Sequence, residues 1–246
     1  MWNKPQLLNA LSDLLILAAA AALLAAATVW LVRVPSLPVR QVVFVEALPQ
    51  TKRAEIEAVL PAALRGNFFS LNLETVRAAM ETLPWVRRVE VRRVWPEKLE
   101  LRVEEHKPVA RWGDGRGELV NSHGEVFAAI LPEESAPQMP VLFGPTGTAA
   151  EVLRRYGEFS DAFQPVGQQP VAVTLSPRLA WQLKLKNGMA VDMGREQPKA
   201  PIGVRLQRFI EVYPEAVAKR AVLPTVVDLR YPNGFAIKVA GEAKGK

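Results

Sequence analysis

Along the 246 residues, apolar and charged positions alternate almost everywhere, with one long exception. Leu14 to Val32 reads LLILAAAAALLAAATVWLV and contains no charged residue. A helix of roughly 20 apolar residues crosses the hydrocarbon core of a bilayer. The stretch therefore predicts one transmembrane helix over 14–32, preceded by a short tail over 1–13. Trp30 stands near its end, where indole rings favour the membrane interface. A cleaved signal peptide is the competing reading, with Leu14–Leu24 as its apolar region and Ala25-Ala26-Ala27 as small residues for cleavage. Against it, the leading region has only Lys4, Asp13 follows, and the apolar run continues to Val32. Either reading sends the bulk of the chain out of the cytoplasm. Lys4 on one side against Arg33 and Arg40 on the other does not set the orientation.

Beyond the anchor the periods shorten. Val39–Phe44 is β-branched and reads as a strand. Thr51 is a candidate helix cap, and Ile56, Val59, Leu60, Ala63 and Leu64 share one face of the helix that follows. Pro61 should bend or end that helix. A second helix over 72–83 has Asn72 as its cap and Leu73, Val76, Met80 and Leu83 as its stripe. A hairpin comes next. Trp85, Val89, Val91 and Trp95 share one face, and past a turn at Pro96-Glu97 the residues Leu99, Leu101 and Val103 alternate with charged ones. Arg88, Glu90 and Arg92 would meet opposite charges across that hairpin. Two helices on one face of three strands make a small α+β domain.

The remainder is mostly strand. Leu119–Phe127 reads as two short strands about a turn at 121–124, and Leu131–Pro145 as a proline-rich connector. A helix over 149–163 carries Val152, Tyr156, Phe159 and Phe163 on one face. Val171–Leu175 is a strand. Trp181, Leu183 and Leu185 lead into Asn187-Gly188, a strong hairpin signal, and Met189, Val191 and Met193 return from it. A helix over 202–213 aligns Ile202, Leu206, Phe209 and Tyr213. The last strands are Val226–Tyr231 and Phe235–Val239, joined by Pro232-Asn233-Gly234, and 241–246 is a frayed tail.

Composition narrows the chemistry. There is no cysteine, which excludes disulfides, thiolate nucleophiles and cysteine metal sites. The net charge of +6 reads first as a basic solvated surface, with an acidic partner or anionic membrane as the sharper alternative. No nucleic-acid-binding motif is present. The two histidines, His106 and His123, fall at a strand end and in a turn. Glu104-Glu105 and Glu133-Glu134 are adjacent pairs, which point apart on a strand and make poor acid–base couples. Gly113–Gly117 lacks the lysine and following helix of a phosphate loop. No catalytic, cofactor or metal residue is assigned. A binding surface is easier to build. A terminal strand tends to be a sheet edge, and its free amides and carbonyls can take an incoming strand. Tyr231, Phe235 and Ile237 lie beside that last turn.

Three blocks, in this order behind one anchor, resemble the FtsQ/DivIB family of bacterial cell-division proteins. They are Phe69-Ser70-Leu71-Asn72 leading to Leu83-Pro84-Trp85-Val86 and Arg93-Val94-Trp95-Pro96; Trp181-Gln182-Leu183 with Met193-Gly194-Arg195; and Arg208-Phe209, Tyr213-Pro214 and Val227-Asp228-Leu229-Arg230-Tyr231. The resemblance covers the whole chain. It implies a POTRA domain over 34–107 and a mainly antiparallel β domain with flanking helices over 108–240. It also implies a single-pass inner-membrane protein at the division septum, with its N-terminus cytoplasmic and its bulk periplasmic. Its role would be non-enzymatic and free of cofactors: a divisome scaffold that binds FtsB and FtsL and links early and late division proteins.

The resemblance further implies that a segment of FtsB adds to the last strand. Arg230 and Tyr231 match an arginine–tyrosine pair that contacts it, and Arg178 matches an arginine that pairs with an acid of the partner. The expected surface is then Arg178, Arg230, Tyr231, Asn233, Gly234, Phe235 and Ile237. On the plainer reading Tyr231 and Trp181 are core aromatics and Arg178 is a solvated charge. On the binding reading, Tyr231→Ala or Phe235→Ala weakens the partner without unfolding the domain. Further division proteins would meet the POTRA domain through the hairpin edge Lys98–Glu104 or through its first strand. The alternative class is a POTRA-containing envelope protein of protein assembly or secretion. Its usual C-terminal barrel of many strands does not fit the remaining length.

Overall fold

The computed structural model describes residues 5–33, 38–113, 117–131, 139–219 and 222–239. Residues 114–116 of the glycine-rich turn, Glu133, Glu134 and the tail 241–246 lie outside the described residues. The class is α+β, and the chain divides into two units, Met1–Glu105 and His106–Lys246.

The first unit opens with α1 (Pro5–Arg33). Its segment Leu8–Trp30 is long and apolar enough to cross a membrane. The helix starts earlier than the uncharged run and passes through Ala25–Ala27 without a break. Then follow β1 (Gln41–Phe44), α2 (Arg53–Ala63), α3 (Leu73–Met80), β2 (Val86–Val94) and β3 (Lys98–Glu105). The strand order is β1-β3-β2, with β1 parallel and β2 antiparallel to β3. Ile56 and Leu60 of α2 and Val76 and Met80 of α3 pack on Val89, Leu99, Leu101 and Val103. Each such side chain contributes about 1.5–3 kcal/mol by leaving water. Asn72 caps α3 as expected, its Oδ1 accepting from the Glu74 and Thr75 amides. Across the hairpin Arg88 faces Glu104, Glu90 faces Arg102 and Arg92 faces Glu100.

Four expectations need correcting in this unit. Thr51 does not cap α2: its amide and hydroxyl both donate to Glu105 Oε1, at 2.7 and 2.6 Å, tying the approach to α2 to the end of β3. Pro61 does not end α2, which runs to Ala63, because the missing donor falls in the last turn. Trp95 is not on the buried face. Strand β2 stops at Val94, and the indole is 77% exposed in the turn. Finally, Lys98–Glu104 is not an edge. The parallel pairing of β1 puts β3 in the middle and leaves β1 and β2 at the margins.

The second unit is one mixed sheet with helices on one face. Its strands are β4 (Pro108–Trp112), β5 (Glu118–Asn121), β6 (Val126–Ala128), β7 (Val141–Phe143), β8 (Pro170–Leu175), β9 (Trp181–Leu185), β10 (Ala190–Gly194), β11 (Pro224–Asp228) and β12 (Ala236–Val239). The order is β12-β11-β10-β9-β8-β7-β4-β5-β6. Most pairings are antiparallel, while β4–β7, β7–β8 and β10–β11 are parallel. Helices α4 (Ala149–Phe163) and α5 (Ile202–Tyr213) cover the face that β9 marks by alternation, with Trp181, Leu183 and Leu185 inward and Gln182 and Lys184 outward. Trp181 is core, with the Phe159 ring edge-on at 5.9 Å. The connector 131–145 contains a strand the sequence does not announce: β7 is three residues long and lies between β4 and β8. Strand β11 ends at Asp228 rather than Tyr231: the Leu229 amide still bonds to Asp192 O of β10 at 2.7 Å, but the Arg230 amide turns back to Asp228 Oδ1 at 3.0 Å.

Candidate partner-binding edge

Strand β12 is the last strand of the nine, so one row of its backbone groups has no neighbour among the described strands. It pairs with β11 through Val227↔Ile237 and Asp228↔Ala236, with a register shift between Pro224 and Val226. Ala236 and Lys238 are exposed, while Ile237 and Val239 are half-buried. The strand is held from inside: Phe235 and Ile237 pack on the helix-covered core, and the Phe235 ring meets Phe209 edge-on at 5.3 Å.

The turn before β12 is built around Arg230. Its Nε donates to both Asp228 oxygens at 2.9 and 3.1 Å, and its Nη2 donates to Oδ2 at 2.6 Å. Asp192 lies 3.6 Å from Nε. The Arg230 hydrogen bonds hold the Asp228 carboxyl below the usual carboxylate range, against a smaller opposing effect of burial. The carboxylates in turn push the guanidinium pKa up, the hydrogen bonds to Asp228 more than the charge of Asp192. More than half of the Arg230 side chain stays in solvent, so one face of a fixed cation remains free. Gly194 makes room for it. At φ +63° a Cβ there would stand 2.8 Å from Arg230 Cγ.

Tyr231 follows with 54% exposure, which sets aside the plainer reading of a core aromatic. Asn233 is exposed at the tip and Gly234 has open space around it. Arg208 Nη1 donates to Pro232 O at 2.6 Å and closes the turn onto α5. Arg178 is exposed in the β8–β9 turn, which Ser176 organises by accepting the Leu179 amide on its carbonyl and the Ala180 amide on its hydroxyl. The pairings Trp181↔Gly194 and Asp192↔Asp228 put Arg178 at the same end of the sheet as Arg230. It starts three strands away from β12, about 14 Å at ordinary strand spacing.

Sequence reading missed the residue that shapes this end. Arg205, on α5, is 3% exposed. It donates to Ala200 O at 2.9 Å, Met193 O at 2.6 Å, Leu229 O at 2.7 Å and Arg195 O at 2.8 Å. One guanidinium thus ties together the ends of β10 and β11 and the loop leading to α5. Desolvation lowers its pKa, with Glu196 opposing, and it stays a cation because arginine starts so high. Its spacing was the available signal: Arg205 lies between Ile202 and Leu206 of the apolar stripe, where a solvated charge does not belong.

The two histidines stand on either side of Asn121. His106 stacks on Phe127 at 4.1 Å, with Nδ1 2.9 Å from Asn121 Nδ2. The buried Asn121 accepts the His123 and Glu125 amides and holds the turn that carries His123. Among the described residues no group of three potential metal ligands occurs.

The model of the FtsQ/DivIB C-terminal domain matches residues 110–230, and that of the FtsQ-type POTRA domain matches 37–106. Cell division protein FtsQ of Burkholderia pseudomallei is 39% identical, over 98% of this chain and 95% of its own length. The chain belongs to the FtsQ/DivIB family of cell division proteins. FtsQ of Bordetella pertussis is 35% identical over 98% of this chain and 93% of its own, and that of Nitrosospira multiformis 35% over 97% and 99%. The FtsQ C-terminal match stops at Arg230, so Tyr231 and β12 stand just past it.

Proposed function

We propose that this FtsQ-family chain is a non-enzymatic scaffold of the division machinery. α1 anchors it in the inner membrane with its N-terminus in the cytoplasm. The POTRA unit and the β unit lie in the periplasm at the septum. There it binds the periplasmic parts of FtsB and FtsL, linking early and late division proteins. A segment of FtsB adds to β12 as a further strand, and the turn Arg230–Phe235 supplies side-chain contacts. Arg178 reaches an acid of the partner from the same end of the sheet.

The observation that supports this reading is the pairing of an open sheet edge with an exposed Tyr231 and a fixed, half-free Arg230. Strand addition takes affinity from main-chain bonds and specificity from neighbouring side chains. Tyrosine and arginine are the residue types that most often dominate such contacts. Phe235 and Ile237 enter this surface by one face only, since the other is core.

Calorimetry of the full chain in detergent against the periplasmic FtsB–FtsL pair tests the proposal. Wild type should bind, and Tyr231→Ala should weaken binding at least tenfold, about 1.4 kcal/mol, with thermal unfolding unchanged. No binding by wild type would overturn the partner. Unchanged binding by Tyr231→Ala would move the contact away from this edge.

A further inference from the structure

Among the described residues Trp95 is the most exposed large aromatic side chain of the first unit, at 77%, and Phe69 is exposed as well. Arg93, two residues before Trp95, donates to Phe68 O at 2.6 Å, Phe69 O at 3.3 Å and Leu71 O at 2.5 Å. The loop between α2 and α3 is thereby fastened to the end of β2. The start of β1 arrives at the same place: the Arg40 amide donates to Glu97 O at 2.9 Å, and Arg40 Nε pairs with Glu97 at 3.3 Å.

The unit therefore has two distinct ends. One holds the start of β1, the α2–α3 loop and the β2–β3 turn. The other holds the end of α3, the start of β2 and the end of β3, where the chain leaves at Glu105. The chain enters from the membrane helix at the first end. Arg33, the last residue of α1, is seven residues before Arg40. That connection spans at most about 25 Å even fully extended. The aromatic end is thus tethered close to the point where α1 leaves the bilayer.

Charge matches the same direction. At this end Arg40, Arg65, Arg93 and Lys98 stand against Glu97, a net of three positive charges, while Arg92 and Glu100 cancel as an ion pair at 2.6 Å and Glu74, at the start of α3, is cancelled by Arg77. At the far end Glu46, Glu81, Glu104 and Glu105 offset the basic residues. Basic residues near a bilayer are drawn to anionic headgroups, and indole rings settle at the interface.

We propose that the end of the POTRA unit bearing Trp95 and Phe69 rests on the anionic phospholipid headgroups of the membrane that α1 crosses. The Trp95 indole sits in the interface, and Arg40, Arg65 and Lys98 face the phosphates. This contact fixes the tilt of the unit on the membrane. The proposal rests on α1 spanning a bilayer and is independent of any partner at β12.

The chain has no cysteine, so single labels are clean. The full chain would be reconstituted in phosphatidylglycerol-containing vesicles with a fluorophore at Lys98→Cys or, at the far end, at Thr82→Cys. Quenching by a headgroup nitroxide lipid is then read. Strong quenching at 98 and little at 82 is expected. Adding Trp95→Ala or Phe69→Ala should cut the quenching at 98 by more than half, with the circular dichroism spectrum unchanged. Vesicles of phosphatidylcholine alone should weaken it. Equal quenching at both labels, or quenching at 98 that ignores Trp95→Ala, would overturn the proposal. Failure of the chain to float with vesicles would overturn its premise, the anchor, and leave the calorimetric test of β12 untouched.

Discussion

Replacing Arg205 by methionine keeps the length and the apolar stem of the side chain and removes its donors. Four backbone carbonyls, those of Met193, Arg195, Ala200 and Leu229, lose a charged partner inside the protein. At about 1–3 kcal/mol for each orphaned group, the gross loss is roughly 8 kcal/mol. The folded state no longer holds a desolvated guanidinium, which returns several kcal/mol. A net loss of about 3–4 kcal/mol remains, more than a hundredfold in an opening equilibrium. The loss is local in the first instance. Met193 is the last but one residue of β10 and Leu229 the first beyond β11, and Leu229 leads directly into the Arg230 turn. Hydrogen exchange of the full chain in detergent reads this position by position. Amides of 190–195 and 226–231 should exchange about a hundredfold faster in Arg205→Met, while those of β2 and β3 in the other unit stay as they were. A change of less than threefold in both segments would refute the argument. It would mean that water replaces the guanidinium at no cost, or that the arginine bonds only offset its own burial.

Three further outcomes follow from the same end of the sheet. Phe235→Ala removes a ring packed on Phe209 from a half-buried site and should destabilise the β unit by about 2 kcal/mol, seen as a lower thermal midpoint; an unchanged midpoint would restore the expectation from sequence that Phe235→Ala weakens the partner without unfolding the domain. The Asp228 carboxyl has a folded pKa below its unfolded value, because Arg230 donates to it. Its contribution is therefore complete above the ordinary carboxylate range and is lost as pH falls through the folded value, and Asp228→Asn should flatten that part of the stability–pH curve. Gly194→Ala combines a left-handed φ with a Cβ 2.8 Å from Arg230 Cγ, and should cost about 1–2 kcal/mol and displace the arginine, visible as a changed Arg230 side-chain resonance.

What the sequence declares, and what it hides, divides along physical lines. α4 and α5 each show one apolar stripe of period 3.6, long enough to outweigh chance, and they appear where that stripe places them. Strands β9 and β10 declare themselves by alternation about Asn187-Gly188, where Gly188 takes φ +88°. Strand β7 does not, because three residues between Pro140 and Gly144 carry no period, and only pairing with β4 and β8 makes them a strand. Trp95 misleads for a related reason. An alternating pattern continues through it, but the chain has already left β2 at Val94. Thr51 is a good cap by type, yet Glu105, more than fifty residues away, claims its hydroxyl. Local pattern cannot see that competitor. The Arg230–Phe235 turn was legible from a turn signal beside a terminal strand. Arg205 showed only that it stands in the apolar stripe of α5; its role did not show, since the four carbonyls that converge on it come from separate segments of the chain.

The proposed edge also constrains how a partner can bind. Four residues of β12 direct only about two sets of N–H and C=O groups outward. That is too few main-chain bonds to set affinity alone, at about 0.5–1.5 kcal/mol net for each. Lys238 on the exposed side and the register shift near Pro224 further discourage indiscriminate strand pairing, as short, charged and irregular edges do. Selectivity must then reside in the turn, where a cation fixed by Asp228 stands next to an open tyrosine. A fixed arginine gives up little side-chain entropy on binding, so its preorganisation is worth more than its charge. Loosening Arg230 by Asp228→Asn should therefore speed dissociation of a strand partner more than it slows association, and surface plasmon resonance separates the two. A change confined to association would mean that Arg230 acts through long-range charge, and that the geometry of the turn is incidental to recognition.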